Sequence, residues 1–271
     1  MKIAMPYRFL SIYFDKDIIE GRAIDIFKPE SVKQDTALFF VHGGGWHSGT
    51  RALYHKIMRA FNEYGFICAS TDYRLNDVTI FDQITDIRHG YDVFTGILAA
   101  EGRPGRIFVY GGSAGAHLAS LLTLAEPGEC GETAEFGDYV RQNEWIKPVG
   151  AAFLSMPVIF EPWEDIFPII WQDMQKIIGV PYTQRPDLYR KVSPINYISG
   201  QTPPVLLLQA ENEHMFPLEQ TQAFIDKARY YGCHAEHRVY TKAEHGFFYD
   251  VERRQQREAF VDILKFVTRL K

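Results

Sequence analysis

The chain has 271 residues, of which 46% are hydrophobic and 23% charged, and its net charge is −5. That leaves room for one large α/β domain or two small ones, with an ordinary globular balance able to bury a sizeable core. No block rich in lysine or arginine stands apart from the acidic balance, which argues against nucleic acid as a partner, since that needs a basic face to neutralise phosphate. The arginines at Arg253, Arg254 and Arg257 read as the wet side of a C-terminal helix.

Near the N-terminus, Pro6, Arg8, Asp15 and Asp17 interrupt the apolar residues and no small-residue cleavage site follows, so no signal peptide is expected. No apolar run is long enough for a membrane span. Cys68, Cys130 and Cys233 are odd in number, far apart and without a C-x-x-C pair, which suggests a reducing compartment rather than a disulfide framework. A cytoplasmic location is the expectation, with a homodimer left open.

Strand and helix patterns alternate along the chain, as in a mostly parallel sheet covered on both faces. Strands are expected at 9–14, 22–28, 37–42, 66–71, 106–110, 150–155, 204–209 and 235–240. The first two are polar enough for an antiparallel edge hairpin, with Glu20 and Gly21 near its turn. The central ones are continuous apolar runs such as Leu38-Phe39-Phe40-Val41 and Val205-Leu206-Leu207-Leu208, as strands buried on both faces should be. Helical stripes follow at Leu118, Leu121, Leu122 and Ala125, and at Phe260, Ile263, Leu264 and Val267. They read as core. Residues 156–202 differ in character, with Trp163, Phe167, Trp171 and Tyr182 set among prolines and acids. A crossover needs only one helix, so this stretch reads as a small helical cap inserted into a single domain spanning 1–271. It serves either as a lid or pocket wall, or as a surface insert without function.

The run from Ile107 to Ala119 is an apolar strand, then Gly111-Gly112-Ser113-Ala114-Gly115, then a helix. A serine at a sharp strand-to-helix turn adopts strained backbone angles, and Gly111 and Gly115 remove side chains that would clash there. The turn aims the helix N-terminus, with its unpaired N–H groups and positive dipole end, at an oxyanion formed beside it. Ser113 is therefore the candidate nucleophile; a glycine-rich turn with a serine helix cap is the plain alternative.

A serine nucleophile needs a base, a carboxylate to orient that base, and oxyanion donors. His42-Gly43-Gly44-Gly45-Trp46 follows directly on an apolar strand, and three consecutive glycines let the backbone present N–H groups to a substrate oxygen. Gly44, Gly45 and the N–H of Ala114 make up the expected oxyanion hole. A phosphate-cradling loop is disfavoured, because G-x-G-x-x-G and the P-loop lysine are both missing. His42 reads as a brace for the loop. No paired metal-ligand spacing links His47, His55, His89, His234 and His237, and His117 on the helix reads as a packing or hydrogen-bonding residue.

Taken together, His42-Gly43-Gly44-Gly45-Trp46, Asp72-Tyr73-Arg74-Leu75 and Gly111-Gly112-Ser113-Ala114-Gly115 resemble serine esterases of the α/β-hydrolase superfamily, close to the hormone-sensitive-lipase-like and small acetyl/feruloyl esterase group. The resemblance covers almost the whole chain. One departure is Asn76-Asp77-Val78-Thr79, which replaces the proline-rich text common after Tyr-Arg-Leu. The resemblance implies the α/β-hydrolase fold, an eight-stranded sheet, and a catalytic histidine in the loop after the last strand, here His245. It places the acid after the strand 204–209, where counting back from Pro217 favours Glu213 over Glu211, with Asp187 a distant third. The order Ser113, Glu213, His245 follows the nucleophile–acid–base order of such enzymes. Acyl transfer to water through this set needs no metal or organic cofactor.

Trp46, Trp163 and Trp171 are candidates for the wall of a substrate site, or for anchoring the insertion to the body. The resemblance favours carboxylic esters of short acids, including acetylated sugars or aryl esters, as small-molecule substrates. An arylformamidase similar to kynurenine formamidases is the alternative enzyme, on the His-Gly-Gly-x-Trp text. A hydrolase fold reused for binding, without catalysis, is the non-enzyme alternative.

Overall fold

The computed structural model describes residues 7–14, 20–132, 135–136, 139–140 and 142–270. Part of the N-terminal stretch read for a signal peptide, and much of the first hairpin's turn, lie outside the described residues. In chain order the strands are β1 (Tyr7–Tyr13), β2 (Ala23–Pro29), β3 (Ala37–Val41), β4 (Cys68–Thr71), β5 (Ile107–Gly112), the two-residue β6 (Glu135–Phe136) and β7 (Tyr139–Val140), β8 (Gly150–Leu154), β9 (Val205–Asn212) and β10 (Ala235–Glu244). The helices are α1 (His55–Glu63), α2 (Ile80–Ala100), α3 (Ala114–Leu124), α4 (Pro168–Ile178), α5 (Pro186–Lys191), α6 (Leu218–Tyr230) and α7 (Arg254–Arg269).

Eight strands form one sheet in the order β1-β2-β4-β3-β5-β8-β9-β10, and β6 pairs with β7 in a separate hairpin. β2 is antiparallel to both of its neighbours, and the remaining pairs are parallel. The expected edge hairpin is present, but β2 is itself buried between β1 and β4. Side chains alternate across each strand, so Phe39 and Val41 join the core under α2 and α3 while Leu38 and Phe40 join the core under α1 and α7. α3 is buried all round, which is why its sequence is apolar on every face. On α1 only Ile57, Met58, Phe61 and Asn62 are buried, the one-sided pattern of a helix lying on a sheet.

Parallel strands share a direction, so β3, β5, β8, β9 and β10 all deliver their C-terminal ends to one edge of the sheet, where ligands of open α/β sheets bind. Two of these strands run further than their apolar residues suggest. β9 continues to Asn212, and β10 passes a register shift between Tyr240 and Glu244 and then pairs again, Glu244 with Asn212. Polar side chains sustain the extension: the Asn212 amide donates to the Glu244 carboxylate at 2.8 Å, and the Lys242 N–H donates to Glu211 at 2.8 Å. Lys242 sits in the left-handed region at φ 57, as an irregularity in an edge strand permits.

Between β8 and β9 the chain forms α4, α5 and a 3₁₀ turn at Pro194–Tyr197. Proline opens each of the two helices, where its missing N–H costs nothing, and Gly179 at φ 82 ends α4. Met174, Ile177, Ile178 and Tyr189 are buried there. At the Asn76–Thr79 departure, Asp77 is left-handed at φ 52 and the Asp82 carboxylate accepts from the Thr79 N–H at 2.8 Å, which starts α2.

A Cβ on Gly115 would overlap the carbonyl oxygens of Val41 and His42, and one on Gly111 would overlap the Gly115 carbonyl. Backbone cannot move aside as a flexible side chain can. Gly115→Ala is therefore expected to destabilise the fold by about 3 kcal/mol, the upper end for overpacking, read as a fall in the urea midpoint; an unchanged midpoint would contradict this close approach.

Candidate active site

Ser113 stands at the turn from β5 into α3 with φ 56 and ψ −125, a conformation that persists in a non-glycine residue only where its surroundings over-determine it. Here they do. The Ser113 N–H donates to the Leu154 carbonyl at 2.8 Å, and the Ser113 carbonyl accepts from the His117 N–H at 3.1 Å. Its Oγ lies 2.8 Å from His245 Nε2, and His245 Nδ1 lies 2.9 Å from both carboxylate oxygens of Glu213. Glu213 follows directly on β9 and His245 directly on β10, so the two extended strand ends carry a carboxylate and an imidazole side by side.

The Glu213 side chain is only 3% exposed and that of His245 18%. Burial works to raise the Glu213 carboxyl, but the hydrogen bond and charge of His245 outweigh it. Together with the Ser155 hydroxyl and the Met215 N–H, they hold the group below the usual glutamate range. An ionised carboxylate on Nδ1 fixes the proton there and leaves Nε2 to accept from the serine. Glu211 points instead at the Lys242 N–H, and exposed Asp187 pairs with Arg185 at 2.7 Å.

The glycine loop lies over Ser113: a Cβ on Gly43 would come 2.6 Å from the Gly112 carbonyl and 3.3 Å from Ser113 Cβ. Gly44 and Gly45 take φ 127 and 60. The Gly44 carbonyl turns away to accept from the N–H groups of His47 and Ser48 at 3.2 and 3.0 Å, leaving the N–H groups of Gly44, Gly45 and Ala114 without an acceptor among the described residues. His42 braces this loop. It is fully buried, and its Nδ1 donates to the Gly43 carbonyl at 2.9 Å. Its ring stacks on Tyr73 at 4.2 Å, and burial pushes its pKa down.

The three tryptophans part company. Trp46 is 2% exposed and its indole Nε1 donates to His117 Nδ1 at 3.2 Å, so it lies in the core instead of lining an open wall, a correction to its reading as a substrate contact. Trp171 packs against Tyr182 and Tyr189, each at 5.7 Å, inside the insertion. Trp163 packs against Phe216 at 6.3 Å, and Phe216 against His245 at 5.8 Å. Of the three it is the one these contacts connect to the base. Phe216 and Ser155 did not stand out in the sequence. Ser155 follows directly on β8 with φ 50, and a polar residue at the carboxyl end of a central strand was the available signal. Among the described residues no group of His, Cys, Asp and Glu is arranged to hold a metal ion, and no helix is long and apolar enough to cross a membrane.

The BD-FAE family model matches residues 24–228, which contain the glycine loop, the Ser113 turn and Glu213. The chain belongs to that family. Among related proteins, LipM of Mycobacterium tuberculosis, named a probable carboxylic ester hydrolase, is 29% identical over 240 residues, 83% of this chain and 54% of LipM. ICME of Arabidopsis thaliana, named an isoprenylcysteine alpha-carbonyl methylesterase, is 24% identical over 98% of this chain and 65% of its own length. The chain thus spans about half to two thirds of these relatives. Among solved structures, esterase B from Lactobacillus rhamnosis superposes with a TM-score of 0.79 at 18% identity, over 98% of this chain and 86% of that one. Butyrate-bound esterase 2 of Thermogutta terrifontis gives 0.75 at 20% identity, over 96% and 93%. The fold of this BD-FAE member is the α/β-hydrolase fold.

His117 adds a pH dependence. It is fully buried, and burial pushes its pKa down to about 4 from the ordinary 6.5. The unfolded chain therefore takes up a proton that the folded chain refuses. This contribution to stability is complete above about pH 6.5 and is lost as pH falls towards about 4. Between about pH 7 and about pH 4.5 the wild-type chain should lose about 2 kcal/mol more than His117→Gln in urea unfolding; equal losses would show that His117 is not held neutral.

Proposed function

We propose that the chain is a serine carboxylesterase that cleaves esters of short acids through an acyl-enzyme on Ser113. The observation that carries this reading is the continuous relay from Ser113 Oγ to His245 Nε2 at 2.8 Å and from His245 Nδ1 to Glu213 at 2.9 Å. His245 takes the Ser113 proton as Oγ bonds to the ester carbonyl carbon, and the carbonyl oxygen becomes an oxyanion facing the Gly44, Gly45 and Ala114 N–H groups. As the oxyanion collapses, the bond to the alcohol breaks and His245 gives its proton to that oxygen. Water, deprotonated by His245, then attacks the acyl-enzyme and frees Ser113. Glu213 stays ionised and steadies the imidazolium.

The names of LipM and ICME support ester hydrolysis, and the butyrate held by Thermogutta esterase 2 supports a short acyl group. Within the domain spanning 1–271, residues 156–202 act as a cap on the site. The leaving alcohol must pass within reach of His245 Nε2 to receive its proton, so it meets the wall that Phe216 and Trp163 build beside that ring. An apolar or aryl alcohol suits this wall better than a sugar.

On p-nitrophenyl butyrate, Ser113→Ala should lower turnover by about 10⁴-fold or more, and a fluorophosphonate should label the wild-type chain at Ser113 alone. A folded wild-type chain that neither turns over nor labels would remove the enzyme reading in favour of a binding protein. Glu213→Gln should cost about 10²- to 10⁴-fold while Glu211→Gln stays within about threefold; the reverse order would move the acid to Glu211. Trp163→Ala should raise KM for aryl esters about fivefold with little change for methyl esters. N-formylkynurenine turned over faster than any ester would make the chain an arylformamidase.

A further inference from the structure

We propose that His117 is a positioning residue for the oxyanion donors, fastening Trp46, and with it the backbone of Gly44 and Gly45, to the insertion between β8 and β9. The inference rests on the esterase reading of Ser113. His117 lies on α3 one turn beyond Ser113 and is completely buried. Its Nε2 is 2.6 Å from the Val192 carbonyl, and its Nδ1 is 3.2 Å from the Trp46 indole Nε1. Its ring stacks on Phe160 at 4.5 Å with 14° between the planes. Val192 and Phe160 belong to the insertion, Trp46 to the glycine loop, and His117 to the helix that carries the nucleophile.

The chemistry assigns the proton. A carbonyl only accepts, so Nε2 carries the hydrogen and donates to Val192, and the lone pair left on Nδ1 accepts the indole N–H. Accepting the indole N–H needs the neutral ring, and burial among Trp46, Phe160 and Val192 keeps it neutral against the Val192 bond, which favours the charged form. Trp46 needs such fastening because its backbone is left-handed at φ 66, a conformation a bulky side chain abandons unless held. Its carbonyl is held as well, by the Gln83 amide at 2.6 Å. Gly44 and Gly45 have no side chains of their own to hold them. Beside the turn in which the Gly44 carbonyl accepts from His47 and Ser48, the first side chain after their N–H groups that ties them to α3 is the Trp46 indole, and that tie ends on His117.

The two bonds can be separated. An asparagine amide oxygen stands where Nδ1 does, and a glutamine amide nitrogen reaches where Nε2 does. His117→Asn thus keeps the acceptor for Trp46, and His117→Gln keeps the donor to Val192. On p-nitrophenyl butyrate, His117→Gln should lower kcat by about ten- to a hundredfold with KM within about threefold, a partial loss of oxyanion stabilisation. His117→Asn should keep kcat within about threefold of wild type. Trp46→Phe breaks the same bond from the other side and should reproduce the kcat loss, with the double variant Trp46→Phe/His117→Gln no worse than either single one. In ¹⁵N-labelled protein, the Trp46 indole proton should move upfield in His117→Gln and stay in place in His117→Asn. Equal kcat in the two His117 variants, additive losses in the double variant, or an indole signal unmoved by His117→Gln would overturn the proposal. Should the wild-type chain hydrolyse no ester at all, the functional reading falls by itself, and the indole signal still decides whether His117 holds Trp46.

Discussion

The close approach of α3 to the ends of β3 and β5 governs the rest of the site. Because Gly111 and Gly115 lack Cβ atoms, the first turn of α3 can rest against the Val41 and His42 carbonyls. That contact forces Ser113 into its left-handed turn at φ 56. Holding a non-glycine residue there costs on the order of 1–3 kcal/mol, offset by the buried helix behind it. The same approach brings the partnerless N–H groups at the start of α3 beside those of the glycine loop. The Ser113 turn and the N–H groups around it are thus consequences of one packing contact between a helix and two parallel strands.

The pairing of Glu213 with His245 depends on a different device. β9 and β10 leave the apolar core still paired, because Asn212 bonds Glu244 and Glu211 bonds the Lys242 N–H where apolar side chains have run out. Parallel pairing beyond the core is weak unless something replaces hydrophobic burial, and these polar pairs do so. Glu213 and His245 are the first residues past the paired ends and so emerge as neighbours. The carboxylate is buried and the imidazole partly exposed, so the charge is sheltered while His245 Nε2 remains within hydrogen-bond reach of Ser113.

Periodicity and composition located all eight strands of the main sheet, because runs such as Leu38–Val41 and Val205–Leu208 are buried on both faces and leave little ambiguity. The expectation failed where pairing is sustained by polar side chains, which is why β9 and β10 were expected to stop short. The β6–β7 hairpin, only two residues per strand, is too brief for any pattern. Ser113 and the glycine loop were legible because their chemistry demands particular residue types at fixed spacing. Glu213 against Glu211 was less so, since two carboxylates two residues apart differ only in which way the strand turns them. The tryptophans were least legible. Composition marks each as aromatic, but whether an indole faces solvent or core is decided by a backbone angle, as at Trp46, or by neighbours far away in sequence, as at Trp163.

The two faces of the sheet carry different kinds of order. Under α1 and α7 the core is built from tilted and edge-on aromatics, among them Phe40, Phe61, Phe66 and Phe260, with buried polar groups at Asn62, at Asp25 where it meets His55, and at the Tyr54 and Tyr110 hydroxyls. Under α2 and α3 the buried side chains include Gln83, which bonds the carbonyls of Trp46 and Arg74. They also include Asp86, which bonds the Arg74 side chain and N–H, and His117. Aromatic packing accepts small displacements with little change in energy, whereas a buried hydrogen bond is lost over a fraction of an ångström and leaves an unsatisfied group behind. The polar side chains lie on the face from which the glycine loop and the Asp72–Leu75 loop emerge. Gln83 and His117 place directional bonds on Trp46 at the end of the glycine loop, and Gln83 and Asp86 do the same for Arg74 in the Asp72–Leu75 loop.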